Sequence, residues 1–181
     1  MIKHIPRIAI LGNPNCGKTA IFNLLTGLNQ KVSNYPGITV EMRRGIARIS
    51  TDKTIEIMDL PGTYSLTPQS LDETIVAQQT LRWMGGKNKP RAIISVVDAA
   101  NLSRNLYLTS QLLDLEIPVI VALNMMDRIR LRKQDIDSEA LRQILGVNAV
   151  IPMSAREKWG ISKLRETIAE VHQYTKAQSA L

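Results

Sequence analysis

The chain has 181 residues, 44% hydrophobic and 22% charged, with a formal net charge of +7. That suffices for one buried core and one domain, and since no apolar run approaches the roughly 18 residues of a bilayer-crossing helix, the chain is expected to be soluble by itself. The single cysteine, Cys16, fits a reducing cytoplasm, isolated His4 and His172 offer no Cys/His metal cluster, and the N-terminus MIKHIPRIAIL, broken by Lys, Pro and Arg, is no signal peptide.

Residues 7–11 read as a strand and 18–27 as a helix; between them GNPNCGKT at residues 12–19 matches G-x-x-x-x-G-K-[ST] in strand-to-helix context. Gly12 and Gly17 let the loop Asn13-Pro14-Asn15-Cys16 turn its backbone N–H groups inward around phosphate, and a side chain at either glycine is expected to crowd that phosphate. Lys18 reaches the β- and γ-phosphates and Thr19 gives its hydroxyl to Mg²⁺. The helix N-terminus, with Ala20 in its first turn, aims unsatisfied N–H groups and a positive dipole end at the same anion. An adduct on Cys16 inside this loop is expected to block nucleotide, and bound nucleotide to protect the thiol.

Next comes Gly37-Ile38-Thr39, where Thr39 is expected to donate its hydroxyl to Mg²⁺ only while a γ-phosphate is present. Strands at 41–50 and 53–59 are joined closely enough to force an antiparallel hairpin. The second ends in Asp59-Leu60-Pro61-Gly62, a D-x-x-G segment in which Asp59 holds the magnesium shell and the Gly62 N–H meets the γ-phosphate. Residues 30–38 and 62–69 lack periodic apolar positions and read as two mobile switches. The following helix, 70–84, opens with Asp72 and Glu73, which read as water-positioning groups or, more readily, as acidic complements to the helix dipole.

Strand 91–98, helix 103–115 and strand 117–123 lead to Asn124-Met125-Met126-Asp127, an N-x-x-D segment. Guanine presents N1–H and N2–H₂ as adjacent donors that one carboxylate accepts together, and adenine has no such pair, so Asp127 is the discriminating residue. Helix 137–145 and strand 149–153 precede Ser154-Ala155-Arg156, which places the Ala155 N–H to donate to guanine O6; a last helix covers 160–175. Each motif alone has a plain counterpart in a turn or a helix cap. In register, and all at strand ends, they indicate a guanine-nucleotide switch. The alternation predicts an α/β fold: a six-stranded, mostly parallel sheet with one antiparallel strand, helices on both faces and nucleotide at the carboxyl ends of the strands. One GTP-binding domain is expected over residues 1–175, with 176–181 as a tail.

The strings GNPNCGKTAIFNLLTG, VSNYPGITVE, DLPGTYSL, VVDAANLSRNLYLTSQLLDL and ALNMMD resemble the cytosolic G domain of ferrous iron transport protein B, in the Era-like branch of the Ras-like P-loop GTPases, over about residues 5–171. The resemblance implies a domain that precedes a helical domain and a polytopic membrane domain moving Fe²⁺, at the cytoplasmic face of the cell inner membrane. Met125 stands where most GTPases carry Lys, which implies weak retention of GDP. Thr63 stands where many relatives place a water-orienting Gln, and Pro14 obstructs an arginine finger. In family members with Asn at the position of Asn15, that side chain helps hold a potassium ion. The resemblance therefore implies slow, potassium-stimulated hydrolysis carried by Lys18, Asn15, Thr39 and Gly62, with Thr19, Thr39 and Asp59 on magnesium and Asn15 on potassium. Implied partners are guanine nucleotide and the helical and membrane portions of the same polypeptide, and a homo-oligomer stays open. The +7 charge and the run Arg128, Arg130, Arg132, Lys133 raise two rival readings, nucleic acid (as for an Era-like GTPase on ribosome or RNA) and anionic lipid. Nucleic acid is disfavoured by an aromatic content of 4%. A nucleotide sensor with negligible hydrolysis is the remaining alternative.

Overall fold

The computed structural model describes residues 5–27, 30–34, 41–51 and 53–178. In chain order the elements are β1 (Arg7–Gly12), α1 (Lys18–Thr26), β2 (Gln30–Asn34), β3 (Glu41–Ser50), β4 (Lys53–Asp59), α2 (Leu71–Met84), β5 (Ala92–Asp98), α3 (Leu102–Leu113), β6 (Val119–Asn124), α4 (Met126–Leu131), α5 (Ser138–Leu145), β7 (Ala149–Pro152) and α6 (Ile161–Gln178). They build one sheet of order β2-β3-β4-β1-β5-β6-β7. Only β3 runs against the others: it is antiparallel to β2 and β4, while β1 lies parallel to β4 and β5, and β5, β6 and β7 follow in parallel.

Among the described residues the sheet has seven strands, one more than the sequence pattern gives. The addition is β2, where a mobile switch was expected. It is an edge strand, paired with β3 from Gln30↔Gly45 to Asn34↔Glu41. An edge strand is held by backbone bonds on one side and needs no apolar alternation, so a polar segment can form one unannounced. Positions 35–38 of that switch, with Gly37 and Ile38, and Thr39 lie outside the described residues. α6 runs to Gln178, past the expected domain edge at 175. Two short helical pieces, α4 and the 3₁₀ turn Ala99–Asn101, were also not expected.

Alternation along the strands divides the core between two faces. Ala9, Leu11, Met58, Ile93, Val97, Val121 and Leu123 pack with Ile75, Val76 and Trp83 of α2 and Leu108 and Leu112 of α3. Ile8, Ile10, Ile57, Ile94, Val96, Ile120 and Ala122 pack with Ile21, Phe22 and Leu25 of α1 and Leu164 and Ile168 of α6. β5 and β6 are buried along their whole length, as strands covered on both faces must be.

One side chain fastens three elements on the second face. Arg165 of α6 donates through Nη1 to the Arg48 carbonyl of β3 and through Nη2 to the Leu24 carbonyl of α1, both at 2.7 Å. Arg165→Ala is expected to cost about 2 kcal/mol in urea unfolding, because two charge-assisted bonds are lost. Arg165→Lys should recover only part of that, since one ammonium lacks the fork that spans two carbonyls. Unchanged stability in both variants would show the bridge to be incidental.

Candidate functional site

The carboxyl ends of β1, β4, β6 and β7 bring most of the motif residues together. The β1–α1 loop turns through two left-handed residues, Asn15 at φ 64° and Gly17 at φ 90°, the latter capping α1. A cleft of about 490 Å³ is lined by Asn13, Pro14, Asn15, Gly17, Lys18, Thr19, Ala20 and Gly62. Pro14, Asn15, Thr19 and Ala20 are exposed there, so the expected phosphate and cation ligands face the opening.

The two loop glycines answer to protein contacts as well as to any ligand. A Cβ at Gly12 would sit 2.7 Å from the Val96 carbonyl oxygen of β5 and 2.8 Å from Cys16 Sγ. At Gly17 it would run into the Asn124 side-chain amide. The expectation that these positions are small to spare the phosphates is thus incomplete: β5 and Asn124 crowd them first.

Asn124, at the end of β6, is the clamp of the site. Its Nδ2 donates to the Cys16 carbonyl at 2.9 Å, and its Oδ1 accepts the Ala155 N–H at 2.9 Å. It is buried, so both bonds are made away from water. The Ala155 N–H, expected to face guanine O6, is therefore engaged by Asn124 in this structure. Met125 takes the left-handed conformation at φ 65° and starts α4, with its Cε about 4.0 Å from where a Gly17 Cβ would stand. Asp127 follows in the first turn of α4, and Ser154 Oγ donates to its Oδ1 at 2.8 Å, fixing the direction of the carboxylate. Arg156 is exposed beyond Ala155.

On the other side of the loop, the D-x-x-G segment lies along β1. Leu60 N–H donates to the Ile10 carbonyl and Thr63 N–H to the Gly12 carbonyl, both at 3.2 Å. A Cβ at Gly62 would come 3.2 Å from Pro14 Cα, so only glycine lets the two segments touch without adjustment. Lys18 Nζ donates to Asp59 Oδ1 at 2.5 Å. The side expected to meet phosphate and the side expected to meet magnesium are here joined to each other. Burial raises the Asp59 carboxyl above its ordinary range, with Lys18 opposing.

The second expected switch carries hydrogen bonds of its own. Thr63 is fully buried, its hydroxyl donating to the Ser65 carbonyl at 2.6 Å. Glu73 accepts from the Gln69 N–H at 2.8 Å and from the Tyr64 N–H at 3.3 Å, and these bonds, the Gln69 one foremost, hold its carboxyl below the ordinary range. A general base needs a proton affinity near the working pH and a path to water. The Glu73 carboxylate, held below its ordinary range, is bonded to the loop backbone, which suits a role in organising the loop better than that of a base. The side chain of Asp72 lies outside the described part of the chain.

Two residues of α3 that the sequence did not flag brace this loop. Gln111 Oε1 accepts the Leu66 N–H at 2.8 Å, and the Arg104 guanidinium stacks 4.2 Å from the Tyr64 ring centre. The Arg104 carbonyl accepts from Asn13 Nδ2 at 3.4 Å, so α3 touches both the phosphate loop and the loop after Gly62. Their spacing, seven residues apart on one helical face, was the available signal.

Cys16 departs from expectation. Its thiol is buried in the α1 side of the core, 1% exposed, and burial pushes its pKa up to about 11. A thiolate is the reactive form. Native protein is therefore expected to resist thiol reagents equally with and without GDP, and to react on unfolding. Rapid labelling of the folded chain that GDP suppresses would restore the sequence-based expectation.

A family model described as ferrous iron transport protein B matches residues 6–168. The Fe(2+) transport protein A/Fe(2+) transporter FeoB fusion protein of Porphyromonas gingivalis is 42% identical over 170 residues, covering 94% of this chain and 19% of that protein. The Fe(2+) transporter FeoB of Legionella pneumophila is 46% identical over 171 residues, covering 92% and 22%. The chain thus spans about a fifth of the length of these curated relatives. Among solved structures, a GDP-bound mutant of S. thermophilus NFeoB superposes with a TM-score of 0.84 at 41% identity, covering 94% of this chain and 64% of that one. The FeoB G-domain of Methanococcus jannaschii gives 0.77 at 38% identity, covering 93% and 97%.

Proposed function

The chain belongs to the ferrous iron transport protein B family, and from that premise we propose that it is a GTP-binding and GTP-hydrolysing regulatory domain of a ferrous iron transporter, held at the cytoplasmic face of the inner membrane by further parts of the polypeptide. The observation that carries the reading is the Asn124 clamp: it ties the phosphate loop at Cys16 to the Ala155 segment and sets Asp127, aimed by Ser154, beside them. Base and phosphate sites are thereby built as one unit.

In this reading the backbone of Asn13 to Lys18 surrounds the phosphates, Lys18 exchanges its bond to Asp59 for the β- and γ-phosphate oxygens, and Asp127 reads the guanine N1–H and N2–H₂. The exposed Thr19 hydroxyl and the Asp59 carboxylate suit Mg²⁺, a hard cation that takes oxygen ligands. Bound there with Thr39, it would neutralise charge on the β- and γ-phosphates. Gly62 presents its N–H to the γ-phosphate, and Leu60 and Pro61 carry the chain to it. Gly37, Ile38 and Thr39 close the site in the GTP state.

Thr63 and Glu73 are both engaged in holding their own loop, so neither orients the attacking water, and Pro14 occupies the approach of an arginine finger. The charge that builds between the β- and γ-phosphates then needs another positive partner. In this reading the exposed Asn15 carboxamide supplies that partner by holding potassium. GTP turnover is expected to be at least about tenfold faster in potassium than in sodium at equal ionic strength, a barrier difference of roughly 1.4 kcal/mol. Asn15→Ala should remove most of the difference with little change in GTP affinity. Equal rates in the two salts would remove the cation, and turnover no faster than the ~10⁻⁴ s⁻¹ of unaided switch proteins would leave a nucleotide sensor.

A further inference from the structure

At the end of the sheet opposite the candidate site, α2 closes in a knuckle. Gly85 N–H donates to the Leu81 carbonyl at 3.1 Å, Gly86 N–H to Trp83 at 2.9 Å and Lys87 N–H to Arg82 at 2.9 Å, so the chain folds back over the last helical turn. Trp83 is fully buried and pins it. Leu81 and Met84, three apart and therefore on one face, are 64% and 62% exposed. Arg82, Lys87 and Lys89 are exposed around them and have no ion-pair partner among the described residues. No Asp or Glu occurs between Glu73 and Asp98 in the sequence, and the exposed Asp114 and Glu116 at the same end of the sheet make no ion pair with them among the described residues. Arg91 N–H donates to the Arg7 carbonyl at 2.8 Å, which sets this patch at the amino ends of β1 and β5, whereas the phosphate loop leaves the carboxyl end of β1.

Large apolar side chains in water beside cations that make no ion pair suit a surface that is apolar underneath and anionic on top. Nucleic acid fits less well, because the one aromatic ring of the knuckle, Trp83, is buried and leaves nothing for bases to stack on. We infer that residues 81–89 contact anionic phospholipid: Leu81 and Met84 enter the boundary between headgroups and acyl chains, while Arg82, Lys87 and Lys89 meet the lipid phosphates. The inference stands on this surface and not on the reading of the nucleotide site. For a domain tethered beside a bilayer, such contact would turn the phosphate loop away from the membrane.

The test is sedimentation of the chain with vesicles of phosphatidylcholine, with and without phosphatidylglycerol. Three cations near the surface should favour the anionic vesicles by roughly 100-fold at low salt, and molar salt should abolish the preference. The variant Arg82→Gln/Lys87→Gln/Lys89→Gln should bind no better than to neutral vesicles, and Leu81→Ser/Met84→Ser should also weaken binding. Urea unfolding should be unchanged in both, which shows that each is folded by a readout independent of the nucleotide reading. Arg128→Gln/Arg132→Gln/Lys133→Gln removes equal charge from the other basic run and should leave most vesicle binding intact. The inference is overturned by equal binding to both vesicle types, by an unaffected knuckle variant, by an equal loss in the second triple variant, or by an RNA duplex that displaces the vesicles.

Discussion

Asp127→Asn is expected to weaken GTP by about 2–4 kcal/mol, roughly 30- to 700-fold, and to strengthen xanthosine triphosphate. The carboxylate is the only arrangement at this position that accepts two adjacent donors with charge assistance. The carboxamide keeps one acceptor and turns the other into a donor, which opposes guanine N2–H₂ but suits the xanthine O2 carbonyl. The structure makes the substitution clean. Asp127 is half-buried on a short helix, and its Oδ1 is held by the Ser154 hydroxyl at 2.8 Å, a partner that can equally donate to or accept from an amide. Folding stability should therefore move little while base preference inverts. Titration calorimetry with both nucleotides checks it, and an unaltered GTP affinity would take Asp127 out of the base site.

Why the parallel strands were legible and the rest less so follows from where each is stabilised. β5 and β6 are short apolar runs buried on both faces, so their composition alone sets them apart. β2 lies at the sheet edge and owes its place to backbone pairing with β3, which leaves no periodic mark. α4 begins within the N-x-x-D motif after a left-handed Met125, a backbone state that no preference of methionine announces. At the site, a motif identifies residue types but not their partners. The Lys18–Asp59 bond and the engagement of the Ala155 N–H by Asn124 join segments 41 and 31 residues apart, and only the fold sets those distances. Glu73 was read as an acid near a helix start, and Ser70 Oγ does accept its N–H there, but nothing in the sequence marks its carboxylate as the acceptor of the Tyr64 and Gln69 N–H groups of the preceding loop.

Gly17→Ala is expected to destabilise the chain by about 3 kcal/mol and to abolish detectable nucleotide binding. Two costs combine. Residue 17 holds φ at 90°, outside what a side chain adopts without strain, and the new methyl would meet the Asn124 amide that joins Cys16 to Ala155. Displacing that amide leaves buried partners unsatisfied. If glycine were required only to spare the phosphates, the variant would lose nucleotide and keep its stability, so urea unfolding without nucleotide decides between the two causes. Asn124→Ala supplies the second arm. Alone it should cost about 1–3 kcal/mol for its two buried bonds, but it also removes the atoms that the Gly17→Ala methyl strikes. The double variant should then be more stable than the sum of the single losses predicts, by about 1 kcal/mol or more. Strict additivity would mean that the two residues do not meet, and that the loop takes its shape from backbone strain alone.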